Sequence, residues 1–248
     1  MPISGVQGSA YRMSPYQPFT FTTGMRIHLR AEDYTGGATW PNYYTGLNAA
    51  PAATVVGSPV MQIIQDGLNG KPVIRFTANE GRVRGTGLIA GGVSMYDVAV
   101  CFVARQWGPN KGRMFSNQYD GTTKPYNWLV GAHGAGEPAC YDNGWIPAVP
   151  AGWGAIPTPW KIYSYQSTLR FDPPPNSVNT FRANGTQIGA ATSSSGHDTA
   201  WGLSGLDPLA AGETGDFEVA EFLGFNYSAV SITSVEQYLR DRWGLNRP

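Results

Sequence analysis

The chain is short of cysteine, of charge and of long apolar runs, and each shortage removes a class of protein. Two cysteines in 248 residues, Cys101 and Cys140, cannot form the disulfide framework of a small secreted scaffold. Cys101 lies in the run VAVCFVAR, where a free thiol behaves as a small buried hydrophobe, so both thiols are expected to be inert interior groups. Charged residues make up 14% of the chain, well under the roughly 25% of ordinary soluble domains. The 17 Lys and Arg are balanced by 17 Asp and Glu, with no basic stripe. Nucleic-acid binding draws its affinity from a surplus of Lys and Arg on phosphates, so it is not expected. No segment reaches the roughly 18 continuous apolar residues of a membrane helix. Residues 1–8 have neither the basic start nor the apolar middle of a secretory signal. Neither membrane insertion nor signal-directed export is therefore expected.

What the chain has instead is turn chemistry and aromatic bulk: 32 Gly, 19 Pro, 8 Trp and 13 Tyr. Glycine and proline weaken long helices, while short β-branched and aromatic segments between turn residues read as strands. The length suits one large β-sandwich or barrel with a core that needs no staples. The segments MRIHLRA, VMQII, PVIRFTA, YDVAVCFVA, RMFS, NWLVG and KIYSY predict strands. In PVIRFTA, Val73, Arg75 and Thr77 alternate with Ile74 and Phe76, whereas VAVCFVA is apolar throughout, as in a strand covered on both faces. VNTFRANGTQIGAA predicts a hairpin, because Asn184-Gly185 supplies the two positive-φ positions of a type I′ turn. No repeat of solenoid or propeller period is present.

One helix is signalled near the C-terminus. Thr233 and Glu236 have the spacing of a capping box. Val235, Tyr238, Leu239 and Arg242 share a face, Arg240 and Arg242 suit the negative end of the dipole, and Gly244 ends the helix. Such a helix is expected to lie over a sandwich edge, shielding backbone from a further strand. At the other end, residues 1–24 carry one charge, Arg12, and little apolar periodicity. They read as an N-terminal arm before a domain of residues 25–248. The arm is either a flexible leader or an extended segment whose Tyr11, Tyr16, Phe19 and Phe21 order against a neighbouring subunit.

Three segments carry a family resemblance. HLRAEDYTGGATWPN resembles an opening strand with a tryptophan-bearing loop. NGKPVIRFTANEGRVRG, turned at Asn69-Gly70, resembles a characteristic second segment. GDFEVAEFLGFNYSAVSITSVEQYLRDRWGL, with Glu221 and Tyr238-Leu239, resembles a closing strand and helix. Together they resemble the concanavalin A-like lectin/glucanase superfamily, in its laminin-G-like branch, common in bacterial and bacteriophage proteins. The resemblance implies an all-β, antiparallel two-sheet jelly-roll sandwich with one C-terminal helix. It specifies function poorly. It implies first a non-catalytic virion component, a minor tail or capsid-decorating protein of a bacteriophage, assembled in the host cytoplasm. Such a protein would partner other virion proteins or copies of itself, as an oligomer. The alternative is a carbohydrate-binding module for cell-surface glycans, and the third reading is a glucanase-type glycoside hydrolase.

The glucanase reading rests on Asp216, Glu218 and Glu221. Their D-x-E-x-x-E spacing approaches the E-x-D-x-x-E of glucanases of this fold, with the first two acids exchanged. A retaining glycosidase needs two carboxyls about 5–5.5 Å apart. The motif sits just before the last helix rather than mid-chain, so Glu221 is expected to pair within the closing strand and no catalytic residue is assigned. His28, His133 and His197 are scattered, with no zinc spacing. His28 reads as a packed residue, and the other two as loop residues. G-x-S-x-G is absent. The resemblance allows a calcium ion at a rim, with oxygens at hand from Asp33, Asp120, Asp142 and Asp172, but no ligand spacing supports one and no metal or other cofactor is expected. The most suggestive region is 117–165, a long stretch rich in Gly, Pro and aromatics. Trp128, Tyr141, Asp142, Trp145, Trp153 and Trp160 are its candidate ligand-binding residues. Their rings suit sugar stacking, protein contact or a local core.

Overall fold

The strand VAVCFVA is apolar on every position because both of its faces are covered, and the fold is built outward from it. The computed structural model describes residues 23–57, 61–78, 80–89, 97–117, 128–134, 136–142, 144–146, 152, 154–170, 176–193, 197, 200–204, 214–226 and 230–245. The N-terminal arm candidates Tyr11, Tyr16, Phe19 and Phe21 lie outside the described residues. In chain order come β1 (Met25–Arg30), β2 (Thr39–Trp40), β3 (Ala53–Val56), β4 (Gln62–Leu68) and β5 (Lys71–Phe76). Next are β6 (Arg82–Gly85), β7 (Val98–Gln106), β8 (Phe115–Asn117), β9 (Trp128–His133) and β10 (Gly136–Asp142). β11 (Lys161–Arg170), β12 (Asn176–Ala183), β13 (Thr186–Ser193), β14 (Trp201–Leu203) and β15 (Phe217–Phe225) complete the strands, and helix α1 (Ile232–Trp243) follows.

These strands pair antiparallel into two sheets. The first has the order β13-β12-β11-β7-β15-β5-β4, and the second β10-β9-β8-β14-β6-β3-β2. β15 shares one edge between two partners: Phe217 to Val219 pair with β5, and Glu221 to Phe225 pair with β1. Alternation sends Val98, Val100, Phe102 and Ala104 of β7 into the space between the sheets, beside Phe76, Phe217 and Phe222 and opposite Phe115, Trp128, Val130 and Trp201. Phe222 stacks on Trp201 with ring centroids 5.2 Å apart and on Phe115 at 5.3 Å. Each fully buried side chain of this size contributes about 1.5–3 kcal/mol. The other side of β7, with Ala99, Cys101 and Val103, meets Val235, Leu239 and Trp243 of α1. Cys101 and Cys140 are both free and buried, and burial raises both thiols well above their usual range.

The helix departs from expectation in two ways. It covers the face of the first sheet over β7 and β11 rather than an edge, because its apolar stripe needs an apolar floor and the central strands supply it. It begins two residues early, with Ser231 rather than Thr233 as N-cap, and neither Thr233 nor Glu236 forms a capping box. Glu236 is instead buried, accepting from Arg182 Nε (2.9 Å) and from the Ser164 hydroxyl. The sheet's arginine outcompetes the helix's own amides for this carboxylate. The C-terminus is as expected: Gly244 adopts φ +62°, and Leu245 N–H donates to the Arg240 carbonyl (3.0 Å).

The β12–β13 hairpin has the anticipated turn, with Asn184 at φ +51° and Gly185 at φ +84°. Asn184 also pins the turn to β11, its Oδ1 accepting from Ile162 N–H (2.9 Å) and its own N–H donating to the Ile162 carbonyl (2.8 Å). A Cβ at Gly185 would stand 2.7 Å from Arg240 Nη2 in a backbone region unfavourable to L-residues. Gly185→Ala is therefore expected to lower stability by about 1–2 kcal/mol, read as an earlier urea midpoint with an unchanged slope.

Candidate functional site

The carboxylates that raised the glucanase reading are set by a bulge. The register between β15 and β7 slips between Val219 and Glu221, so Ala220 is an extra residue. Simple alternation would send Glu221 to the core opposite Glu218. The bulge returns Glu221 to the outer face, towards α1. Glu221 is fully buried there and surrounded by donors from two other elements. Its Oε1 lies 2.5 Å from His28 Nε2 of β1 and accepts from Tyr238 Oη (2.9 Å). Its Oε2 accepts from Arg242 Nε and Trp243 Nε1, each at 2.7 Å. Burial pushes its pKa up more than any other single influence. The hydrogen bond and charge of His28, the charge of Arg242 and the Trp243 hydrogen bond together outweigh burial and hold it below the usual carboxylate range.

The other two acids are equally committed. Glu218, fully buried, accepts from Arg75 and Arg105. Asp216, 1% exposed, accepts from the backbone of Ala78 (2.8 Å) and Asn110 (2.9 Å) and from the Asn110 side chain (2.8 Å). The three carboxylates thus hold three different parts of the fold and do not converge on a solvent-facing cleft.

The six candidate residues of the aromatic region are dispersed. Trp128 is a core residue with no exposed surface, edge-on to Phe115 at 4.8 Å, because it occupies an inward position of β9 with Val130 and Ala132. Asp142, 4% exposed, also points inward. It accepts from Tyr165 Oη (2.8 Å) and from the Asn179 amide, and Tyr165 Oη in turn lies 2.8 Å from His197 Nε2. Neither is a surface ligand contact. The Asp142 cluster joins β10 of one sheet to β11 and β12 of the other. A second inter-sheet tie runs parallel to it, from the Tyr163 hydroxyl to Glu137, which also faces Lys161 Nζ at 3.3 Å. Burial, then the neighbouring Asp142 charge, raises the Tyr165 phenol well above its usual range, and burial raises Glu137 despite Lys161. His197, expected as a solvated loop residue, is 1% exposed within this cluster. Trp160 lies on the first sheet, away from β10, and Trp153 falls outside the described residues.

Tyr141 and Trp145 do come together. After Asp142 the chain reverses and runs back along β10, with Ile146 N–H donating to the Cys140 carbonyl (2.9 Å) and Trp145 bridging Tyr141. Ile146 turns inward and is buried, which leaves Trp145 outward. Its ring meets Tyr141 edge-to-face at 5.3 Å and His133 at 5.1 Å. All three rings are partly exposed on the outer face of the second sheet. His133, the last residue of β9, was not among the candidates, and β10 itself is hidden in the sequence by Gly136 and Pro138. Of the possible calcium donors, Asp33 is paired with Arg30 (2.6 Å), Asp142 is engaged as above, and Asp120 and Asp172 lie outside the described residues. Among the described residues, no group of three His, Cys, Asp or Glu side chains is placed to hold a metal ion.

Two antiparallel sheets with these packed inner faces, closed by a C-terminal helix, define a concanavalin A-like β-sandwich. The chain is similar in structure to a Trypanosoma rangeli sialidase solved with sialic acid, at TM-score 0.55 and 11% identity over 88% of this chain and 33% of that one. It is similar to domain 4 of an extracellular arabinanase from Geobacillus stearothermophilus, solved with arabinotriose, at TM-score 0.55 and 10% identity over 86% of this chain and 97% of that one. The binding domain of botulinum neurotoxin serotype D/C aligns at TM-score 0.54 and 11% identity, over 87% of this chain and 52% of that one. The chain thus spans about a third of the sialidase and half of the neurotoxin domain, and identities this low carry the fold alone. No family model matches the chain, and no curated protein matches its sequence.

The Glu221 cluster makes a pH prediction. A carboxylate whose folded pKa lies below its unfolded value of about 4.3 contributes stability that is complete above that value and is lost as pH falls through the folded pKa. Glu221→Gln is expected to cost about 3 kcal/mol at pH 7, the scale for breaking a buried charge pair. The gap to wild type should shrink below about pH 4, measured by urea unfolding between pH 3 and 7.

Proposed function

We propose that this domain is a non-catalytic recognition module that binds a surface carbohydrate through Tyr141, Trp145 and His133. The observation that carries this reading is the partly exposed aromatic trio held on a rigid sheet. Indole and phenol rings offer flat apolar faces to the C–H side of a pyranose, while Tyr141 Oη and the His133 imidazole add polar groups to meet hydroxyls. The full engagement of Asp216, Glu218 and Glu221 in structural pairing supports a role without catalysis. The likeness to a domain solved with arabinotriose and to a toxin binding domain supports recognition as the kind of work done on this fold.

The laminin-G-like resemblance of the chain supports a bacteriophage virion as the setting, as a minor tail or capsid-decorating protein. There it would be assembled in the host cytoplasm and joined to copies of itself or to other virion proteins, and glycan binding would serve host recognition.

A glycan array with the whole protein, followed by isothermal titration on the best ligand, tests the proposal. Trp145→Ala is expected to weaken binding at least tenfold, about 1.4 kcal/mol, with an unchanged melting temperature because the ring lies outside the core. Absence of glycan binding by the wild type, or full binding by Trp145→Ala, would overturn it.

A further inference from the structure

On the outer face of the first sheet, which also carries α1, one row of side chains crosses the strands. Gln62 of β4 is opposite Arg75 of β5, Arg75 is opposite Glu218 of β15, and Glu218 is opposite Arg105 of β7. Trp160, just ahead of β11, continues the row beside Arg105. Glu218 has no exposed surface, while the Arg75 and Arg105 side chains are 26% and 24% exposed. Oε1 of Glu218 accepts from Arg75 Nε (2.8 Å) and Nη2 (2.5 Å), and Oε2 accepts from Arg105 Nε (2.6 Å). Each guanidinium also lies on an indole: Arg75 over Trp107 at 4.3 Å, and Arg105 over Trp160 at 4.8 Å from the ring centre. Both indoles are partly exposed, and Trp107 is fixed by donating Nε1–H to the Phe76 carbonyl (2.8 Å).

Two features go beyond a structural ion pair. Two guanidiniums share one carboxylate, so the row keeps one uncompensated positive charge in a chain of zero net charge. Glu218 uses only the Nε side of Arg105, so among the described residues both Nη groups of Arg105, and Nη1 of Arg75, have no hydrogen-bond partner. The paired Nη groups form the end-on fork that matches a carboxylate bidentately. Buried Glu218 below and the indoles beside hold that fork in place, so little side-chain entropy is lost when an anion docks. Indoles at the flanks favour an anion carried on a ring with an apolar face over a bare ion.

We propose that this row is a second binding site, selective for the carboxylate of an acidic sugar, with Arg105 as the carboxylate anchor and Trp160 as the platform for the ring. It lies on the sheet opposite to the Tyr141–Trp145–His133 trio and deepens the glycan-recognition reading, on which it rests. Two acidic probes with neutral counterparts test it by isothermal titration: polygalacturonate against its methyl ester, and a sialyllactose–albumin conjugate against the lactose conjugate. The wild type is expected to bind at least one acidic probe tenfold or more tighter than its neutral counterpart, and to lose that preference in high salt. Arg105→Ala removes the preference. Arg105→Lys keeps a cation beside Glu218, and with it the fold, but loses the fork, so it retains less than a third of the preference at an unchanged melting temperature. Trp145→Ala leaves the preference in place. Equal binding of acidic and neutral probes by the wild type, or an undiminished preference in Arg105→Lys, overturns the acidic site while leaving recognition through Trp145 standing. No binding to any glycan, neutral or acidic, overturns both.

Discussion

One buried charge organises the closing of this sandwich. A lone carboxylate taken out of water carries a penalty of several kcal/mol, and Glu221 is stabilised by donors that arrive from β1 and α1. His28 comes from the first strand, and Tyr238, Arg242 and Trp243 from the last two turns of the helix. The cluster therefore fixes the angle and register of α1 over β7 and β11. Arg242 reaches further, to Glu32 at 2.5 Å, extending the network to the turn after β1. The apolar floor under α1 supplies the driving force, and the Glu221 cluster supplies the uniqueness of the fit.

The same strand shows how one inserted residue changes what a sequence motif means. Without the slip at Ala220, Glu218 and Glu221 would lie on opposite faces of β15. With it they share a face, the arrangement a two-carboxylate hydrolase would want, but each has its own cations. Glu218 serves a row of arginines and indoles, and Glu221 serves the helix.

The sequence made the framework legible where local chemistry has one outcome. Asn184-Gly185 had to be a positive-φ turn, VAVCFVA had to be covered twice, and Gly244 had to end the helix. It was less legible wherever two partners competed. Thr233 and Glu236 have capping-box spacing, yet Arg182 on β12 claims the carboxylate. Trp128 and Trp145 look alike in composition, but strand alternation buries one and a chain reversal after Asp142 exposes the other. Tyr141 and Trp145 were recognised as candidates, whereas His133 joins them only through the fold. Arg75 and Arg105 are thirty residues apart and meet across β15, a proximity that no local pattern encodes.

The pairing of β1 with β15 carries a consequence for how the chain is made. The first strand's only partner among the described strands is the last one, and the helix that covers their junction lies later still. Residues near position 27 must wait for those near position 223 to find their strand partner, whereas β15 also has β7 on its other edge. A nascent chain emerging from the ribosome holds β1 with a bare edge until β15 has been made. Folding of this sheet is then completed by loop closure over almost 200 residues, the kind of long-range step that makes β-sandwiches slow folders.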